Sequence, residues 1–275
     1  MSTVEGDEQD LTRKQRREQA REQRRALEEA EAASAQRRRR LIQLGSVIGV
    51  VIVIVIVIVA ATSGGGSSGV PKTKHEKNEN VAAVTSLLAG IPQTAMTLGN
   101  PSAPVTMQYF GDLECPVCKE FTLGALPKLI QNEVRAGKLK IEYRNLETAT
   151  REPETFRTQQ IAAMAAGKQR KGWDYMELFY HEQGAEGTGY VTEKYLQELA
   201  QQVPGLNLAT WTSDRASGQF TNVLTADAQA ANNAGFNGTP SFLIGKSGQA
   251  GQKYEYSSLT DPAGFEAAIA SALKA

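Results

Sequence analysis

Cys115 and Cys118 are the only cysteines among the 275 residues of this chain, and two residues separate them. Because no distant cysteine exists, the two sulfurs can pair only with each other or with a thiol of another molecule. A bridge that closes so short a loop removes little entropy from the unfolded chain and contributes little stability. The spacing instead favours thiol–disulfide exchange, in which a thiolate attacks a disulfide sulfur.

The residue types around the two sulfurs predict different roles for them. Cys115 is predicted to begin a helix, where unpaired N–H groups and the helix dipole favour an anion. Such a position lowers a cysteine pKa from about 8.5 to roughly 3.5–7.5, so Cys115 is expected to be the attacking sulfur. Cys118, one turn further along, is expected to be more buried and to resolve the mixed disulfide. Pro116 fits the first helical turn, because its missing N–H would have no helical partner there.

Other cysteine chemistries fit the sequence less well. A structural zinc site needs four ligands, and only His75 and His181 could add to the cysteines as histidine ligands, so no metal site is predicted. An acyl-transfer nucleophile would need His181 close to Cys115, and a second cysteine two residues away would compromise it. A membrane-tethered binding module with a vestigial disulfide stays open as a non-catalytic alternative.

A strand, a helix and a second strand are predicted around the cysteines. Residues 104–110 are rich in strand formers and end at a glycine just before the pair. Apolar residues then recur at helical spacing, and Pro127 predicts a kink within one helix. Residues 138–146 predict a second strand whose apolar face holds Leu139, Ile141 and Tyr143. This order is a βαβ unit, in which a crossover helix joins parallel strands.

The remainder of the chain is predicted to be mainly helical before it returns to the sheet. Helical segments are expected at 153–169, 173–183, 192–202 and 220–233. Two closing strands are expected at 241–244 and 254–257, and a final helix at 262–273. The predicted fold class is therefore α/β: a central mixed sheet flanked by helices, with an inserted helical subdomain at about 150–235.

Two motifs together resemble a known family. Phe110-x4-Cys115-Pro116-Val117-Cys118-x2-Phe121, followed later by Gly238-Thr239-Pro240-Ser241-Phe242, is similar to the DsbA-type thioredoxin-fold oxidoreductases, and most of all to their membrane-anchored Gram-positive versions. The resemblance implies a thioredoxin fold over residues 95–275. It also implies a redox-active Cys115–Cys118 disulfide and no other cofactor.

The second motif carries the substrate site that the resemblance implies. In that family a cis-proline faces the cysteine pair, and Pro240 stands at the matching position. The backbone of Thr239 would then be presented to an extended substrate chain close to Cys115. An ordinary loop proline at the start of a strand is the alternative, since only about 5% of X-Pro bonds in folded proteins are cis.

Two departures from the family pattern bear on the chemistry. Many strong DsbA-type oxidants carry a His between the cysteines, whereas this chain has Val117, which offers neither charge nor hydrogen bond. Pro116 and Val117 are therefore predicted to tune an oxidant stronger than thioredoxin and weaker than the His-containing type. The position six residues before Cys115, often a buried acid in thioredoxin-like proteins, is Tyr109 here. A water molecule or Glu142 is left to accept a proton.

Three carboxylates lie close to the pair in sequence. Glu114, adjacent to the first cysteine, is a candidate proton relay, although a surface carboxylate is the favoured interpretation. Asp112 and Glu120 are open to the same two interpretations.

The segment before the domain predicts the compartment. Residues 41–61 carry no charge, and 21 residues of helix span roughly 31 Å, enough for a hydrocarbon core of about 30 Å. Four arginines at 37–40 precede this run, and uncharged Ser/Gly-rich sequence follows it, so the N-terminus is expected inside and the domain outside. A cleavable signal peptide that ends near Val59-Ala60-Ala61 is the alternative, and the long leader argues against it.

The domain organisation follows from this topology. Residues 1–40 are predicted to form a charged cytoplasmic tail, 41–61 a transmembrane helix, 62–94 an extracytoplasmic linker and 95–275 the DsbA-like domain. The chain holds 30 Lys/Arg and 30 Asp/Glu, so no strongly basic surface for nucleic acid is expected. An RNA- or lipid-binding role for the arginine-rich tail stays open beside plain topogenesis.

The predicted function is an extracytoplasmic thiol:disulfide oxidoreductase at the cell membrane that donates disulfides to exported cysteine-containing proteins. An isomerase or a reductase of the same fold is the alternative. Isomerases of this superfamily commonly carry a dimerisation domain, and the sequence before Met96 is too short for one. A reductase would have to be supplied with electrons across the membrane. An oxidase would need a DsbB- or VKOR-like membrane partner to reoxidise it.

Overall fold

The computed structural model describes residues 74–274 of the chain. The predicted cytoplasmic tail and the predicted transmembrane helix at 41–61 lie outside these residues. Within 74–274, no helix combines the length and the apolar composition that a membrane crossing requires.

A mixed sheet of six strands forms the centre of the described domain. The strands are β1 Gln93–Thr94, β2 Thr97–Leu98, β3 Val105–Gly111, β4 Leu139–Asn145, β5 Ser241–Lys246 and β6 Gln252–Tyr254. Their order across the sheet is β1-β2-β4-β3-β5-β6. Strands β3 and β4 are parallel, while the other neighbours pair antiparallel. The predicted βαβ unit around the cysteines is therefore confirmed.

Helices cover the sheet and fill the long connection between β4 and β5. They are α1 Lys74–Leu88, α2 Pro116–Leu123, α3 Ala125–Leu129, α4 Pro153–Lys168, α5 Gly172–Glu182, α6 Glu193–Gln202, α7 Leu208–Ala216, α8 Thr221–Asn233 and α9 Ala263–Lys274, with a π-helical turn at Ile130–Val134. Five of them, α4 to α8, lie between β4 and β5. The predicted α/β class, a mixed sheet flanked by helices, is confirmed.

An aromatic core holds the cysteine-bearing helix α2 against the sheet. The ring of Phe121 on α2 lies 5.1 Å from that of Tyr109 on β3 and 4.7 Å from that of Phe242 on β5, measured between centroids. Phe265 of α9 completes the cluster at 5.0 Å from Phe242. All four side chains are fully buried. Edge-to-face packing of this kind fixes the position of α2 beyond what buried area alone provides.

The prediction of one kinked helix after the cysteines is wrong. The break falls at Gly124, whose φ of −102° and ψ of −91° lie outside the helical region. Pro127 instead lies within the first turns of α3, where its missing N–H costs little. A Cβ at Gly124 would lie 2.5 Å from the Glu120 carbonyl oxygen and 2.8 Å from that of Leu259. Close packing against the loop before α9 therefore requires a glycine at the bend.

The predicted linker at 62–94 is wrong over its described part. Helix α1 occupies Lys74–Leu88, and the β1–β2 hairpin follows it. Val84 and Leu88, one turn apart, are buried in the main core, so α1 is part of the domain. Arg135 donates hydrogen bonds to the carbonyls of Ser86 and Leu87 in the last turn of the helix and to that of Ala89 just after it.

Two further differences concern the later part of the chain. Helix α7 was not expected from the sequence. Asn207 caps it by accepting a hydrogen bond from the Thr210 N–H at 3.0 Å, and Trp211 is buried on it. The last strand lies at Gln252–Tyr254 rather than at 254–257, because pairing of Phe242 with Tyr254 ends the ladder there. The four predicted insertion helices and the final helix are confirmed to within a few residues.

Candidate active site

The first cysteine forms the N-terminal cap of α2. Cys115 has an extended backbone, with φ −70° and ψ 119°, and Pro116 takes the first helical position. The Cys115 Sγ accepts a hydrogen bond from the Cys118 N–H at 3.4 Å. The Cys115 N–H donates to the Asp112 carbonyl at 3.0 Å, so a tight turn after β3 delivers the sulfur to the helix start. Both cysteines are present as thiols.

The two sulfurs differ in burial and in acidity. Cys115 is 5% exposed and Cys118 is fully buried. The Cys118 thiol makes the largest contribution to lowering the pKa of Cys115 to about 6. Hydrogen bonds from the Thr239 hydroxyl and from backbone N–H groups at the helix start add to this, whereas burial opposes it. Burial raises the pKa of Cys118 well above its ordinary value. At neutral pH the site therefore holds one thiolate and one thiol.

The loop before β5 faces the first sulfur. The Thr239–Pro240 peptide bond is cis, the form that the family resemblance implies. The Cys115 Sγ donates to the Thr239 carbonyl at 3.4 Å. Antiparallel pairing of Ser241 with Phe110 brings this loop to the end of β3, next to the turn that carries Cys115. The structure thus brings the two sequence motifs together in one site.

Asp112 is a buried hydrogen-bond centre rather than a surface carboxylate. It has no exposed surface, and both of its carboxylate oxygens accept several hydrogen bonds. The donors are the N–H groups of Thr148 (3.1 Å), Ala149 (2.9 Å), Thr150 (2.9 Å) and Glu114 (3.1 Å), the Thr150 hydroxyl (2.6 Å) and Gln159 Nε2 (3.3 Å). Asp112 therefore ties the loop after β4 and helix α4 to the turn that carries Cys115.

Glu114 is also buried, and the surface interpretation favoured for it is wrong. Its residue exposure is 4%, whereas Glu120 is exposed as expected of a surface carboxylate. Burial raises the pKa of Glu114, a hydrogen bond from Thr150 opposes this, and the nearby charges of Asp112 and Glu186 add to the rise. Glu142 accepts a hydrogen bond from Gln108 at 3.4 Å, midway along the sheet.

A cluster of buried phenols lies at the position of Tyr109, where thioredoxin-like proteins often have a buried acid. Tyr109 Oη lies 3.4 Å from the Cys118 carbonyl oxygen and 3.3 Å from Tyr180 Oη. The Tyr180 hydroxyl donates in turn to the Asp112 carbonyl at 3.1 Å. Burial, reinforced by Cys118, raises the pKa of Tyr109 well above its ordinary value. A neutral hydroxyl network thus underlies Cys118. Tyr180 comes from helix α5, and no sequence spacing pointed to it.

Gln183 is another site residue that the sequence did not reveal. Its Nε2 donates to the carbonyls of Leu113 at 2.6 Å and of Cys115 at 3.2 Å. Its own carbonyl accepts from Lys119 Nζ at 3.4 Å. Gln183 follows α5 directly, so the helical insertion clamps both sides of the cysteine turn. Its position just before Gly184 gave no signal of this role.

Within residues 74–274, no three His, Cys, Asp or Glu side chains come together in a way that could hold a metal ion.

A central mixed sheet, a dithiol at a helix N-terminus and a facing cis-proline define the class of this protein as a thioredoxin-fold thiol:disulfide oxidoreductase. The family described as thioredoxin matches residues 92–261, and the chain belongs to that family. The chain is similar to the DsbA-like disulfide bond formation proteins.

Individual relatives agree with this assignment. A probable disulfide bond formation protein D from Bacillus cereus is 24% identical over 154 residues, which are 55% of this chain and 70% of that protein. The fold matches the crystal structure of oxidised BdbD from Bacillus subtilis with a TM-score of 0.56 and 22% identity, over 68% of this chain and 98% of that one. It also matches alpha-DsbA1 of Wolbachia pipientis with a TM-score of 0.54 and 17% identity, over 68% and 92% of the two chains.

Proposed function

We propose that this protein is a membrane-anchored, extracytoplasmic oxidase that donates the Cys115–Cys118 disulfide to exported proteins. The observation that carries the proposal is the asymmetry of the pair, with the pKa of Cys115 lowered to about 6 and that of Cys118 raised. A low thiol pKa stabilises the reduced form and makes Cys115 a good leaving group. Both properties favour giving a disulfide away over keeping it.

The cycle that this asymmetry supports has two exchanges. A substrate thiolate attacks Cys115 Sγ of the disulfide, the S–S bond breaks, and Cys118 leaves and takes up a proton because its own pKa is high. A second substrate thiolate then attacks the substrate sulfur of the mixed disulfide, and Cys115 leaves as a thiolate. Two electrons pass from the substrate to the cysteine pair. Glu114, a buried carboxyl adjacent to Cys115 in the chain whose pKa is raised by burial, is the proposed relay.

The loop at Thr239 and Pro240 is proposed to hold the substrate chain. The Thr239 carbonyl already accepts a hydrogen bond from Cys115 at 3.4 Å, so a backbone docked beside it would lie next to the reacting sulfur. Main-chain hydrogen bonds suit a substrate of any sequence, because they use groups that every exported protein carries.

The oxidant is proposed to be of intermediate strength. With a pKa of about 6 instead of 9.0, ionisation of Cys115 stabilises the reduced form by about 1.4 kcal/mol at pH 7, or about 30 mV for this two-electron couple. The Val117 side chain adds no donor or charge. We expect a potential between those of thioredoxin, about −270 mV, and DsbA, about −120 mV. A glutathione redox titration that returns thioredoxin's potential or a lower one contradicts this.

The compartment and the partners rest on the sequence and on the relatives. The charge-free run at 41–61 behind the arginines at 37–40 supports a single-pass anchor with the domain outside. The Bacillus proteins are described as disulfide bond formation proteins, which supports exported substrates here. Reoxidation would then fall to a DsbB- or VKOR-like membrane partner. Labelling of single introduced cysteines with an impermeant maleimide, before and after residues 41–61, tests the topology.

A covalent trap tests donation itself. In full-length Cys118→Ser no internal disulfide can form, so Cys115 is first joined to glutathione by treatment with oxidised glutathione. A substrate thiolate that attacks Cys115 Sγ then releases glutathione. The resulting Cys115–substrate disulfide should accumulate until a reductant is added, because no Cys118 thiol can attack Cys115 Sγ and expel the substrate. The matched control Cys115→Ser lacks the attacked sulfur and should trap none. Equal yields from the two variants, or no complexes at all, would contradict donation through Cys115. Refolding of a reduced and of a scrambled test protein separates oxidase from isomerase.

A further inference from the structure

Two hydroxyl groups from distant parts of the chain meet beside the cysteine turn. Thr148 Oγ1, in the loop after β4, lies 2.5 Å from Thr239 Oγ1, in the loop before β5. Either oxygen can be the donor in this contact. Since a hydroxyl carries one proton, the direction of the bond decides whether the Thr239 proton is free to reach another group.

The Asp112 carboxylate fixes the backbone of Thr148 through hydrogen bonds. One oxygen of this buried carboxylate, Oδ2, accepts the N–H groups of three consecutive residues, Thr148, Ala149 and Thr150, at 2.9–3.1 Å. Hydrogen bonds to a charged acceptor are roughly twice as strong as neutral ones. The same carboxylate accepts the Glu114 N–H, one residue from Cys115. The position of Thr148 is therefore fixed relative to the turn that carries the reacting sulfur.

Two groups of Thr239 act on Cys115: the carbonyl oxygen as a hydrogen-bond acceptor and the side-chain hydroxyl as a donor. Its carbonyl oxygen accepts from the Cys115 thiol at 3.4 Å. Once Cys115 ionises, this contact has no proton, and the carbonyl dipole opposes the negative charge. The Thr239 hydroxyl acts in the other direction and lowers the pKa of Cys115, after the larger contribution of the Cys118 thiol. The thiolate thus depends on where the Thr239 proton points.

We propose that Thr148 is a positioning residue for the Cys115 thiolate: its hydroxyl donates to Thr239 Oγ1, which leaves the Thr239 proton directed at the sulfur. Asp112 holds Thr148 in place for this purpose. A thiolate can only accept, so ionisation of Cys115 selects this direction of the hydroxyl pair. The inference rests on the proposed role of Cys115 as the attacked and leaving sulfur.

The test follows the ionisation of Cys115 in the reduced full-length protein. The rate of iodoacetamide alkylation at Cys115, located by peptide mass spectrometry, is measured against pH, and the wild type is expected to show a midpoint of about 6. Thr148→Val should raise the midpoint by about half to one pKa unit, the size of one ordinary hydrogen bond. Thr148→Ser keeps the hydroxyl and should restore it. Thr225→Val removes an exposed hydroxyl on α8 and should change nothing.

Asp112→Asn supplies the second arm. In the Asp112→Asn background, Thr148→Val should no longer raise the midpoint, because both changes break one chain of contacts. Comparison within that background cancels the effect of the lost Asp112 charge. If Thr148→Val leaves the midpoint unchanged, or if Thr148→Ser shifts it as far as Thr148→Val does, the proposed role of Thr148 is wrong and the proposed function is unaffected. A wild-type midpoint near 9.0 contradicts both the proposed function and the proposed role of Thr148. The Thr148 variants decide the matter if Asp112→Asn does not fold.

Discussion

Removal of the Cys118 thiol should weaken Cys115 as an acid more than any other single change at the site. The Cys118 S–H is the largest contributor to a Cys115 pKa of about 6, against an ordinary value of 9.0. That difference of three units corresponds to about 4 kcal/mol in favour of the thiolate. In Cys118→Ala the donor is lost, and the helix start and Thr239 have to stabilise the charge without it.

The size of the effect follows from the strength of one hydrogen bond to a charged group. Such a bond contributes about 1.5–3 kcal/mol, so its loss should raise the Cys115 pKa by about 1–2 units, to roughly 7–8. At pH 7 the thiolate share should then fall from about 90% to between roughly 10% and 50%. The rate of iodoacetamide alkylation at pH 7 should decrease in the same proportion.

Cys118→Ser is the matched comparison, because a serine hydroxyl can still donate to the Cys115 sulfur. Its alkylation midpoint should lie between those of the wild type and Cys118→Ala. If the alanine variant keeps a midpoint near 6, the Cys118 thiol is not the main source of the low pKa. If serine and alanine shift it equally, the cause is packing rather than donation.

Three further predictions concern stability, measured by urea unfolding. Glu177 is fully buried on α5, and neither carboxylate oxygen has a hydrogen-bond partner among the described residues. Burial, together with the smaller effect of the Asp174 charge, raises the pKa of Glu177 to about 8. The folded state then keeps a proton that the unfolded chain loses near pH 4.5. The free energy of unfolding should therefore fall by about 1.4 kcal/mol for each unit that the pH rises between about 4.5 and 8. Glu177→Gln should lack this slope, the exposed control Glu120→Gln should keep it, and parallel slopes for wild type and Glu177→Gln would refute the assignment. Asp227→Asn breaks a buried pair with Arg144 and should cost about 3 kcal/mol, whereas Asp214→Asn, at a more exposed pair with Lys168, should cost less than about 1 kcal/mol; equal losses would count against burial as the cause. Gly124→Ala places a Cβ 2.5 Å from a backbone oxygen and should cost about 1–3 kcal/mol, and a variant as stable as the wild type would mean that the α2–α3 bend adapts freely.

The part of the site that local sequence determines was predictable. Two cysteines with Pro116 between them, placed after a strand-forming run, predicted a thiol at a helix N-terminus and a second thiol one turn deeper. The structure has both, with Cys115 as the cap and Cys118 fully buried. Strands β3 and β4 were predictable for the same reason, since their alternating apolar residues lie within single short segments.

The part that distant segments build could not be read in advance. The local sequence does not distinguish Asp112 from other polar residues at strand ends. Most of its hydrogen-bond donors come from residues 148–159, which only the tertiary fold brings to it. Glu114 is buried although its type favours the surface. Helix α1 lay inside a polar stretch, and only tertiary packing of Val84 and Leu88 places it in the core. The break at Gly124 was masked by Pro127, which gives the stronger local signal.

Val117 is 39% exposed, although it stands between two buried cysteines. Asp112, Gln183 and Tyr109 hold the turn through the main chain and through other side chains, so the residue at 117 can change without repacking anything. The redox potential can therefore be changed at this position independently of stability. Val117→His should make the enzyme more oxidising and leave its urea unfolding midpoint unchanged.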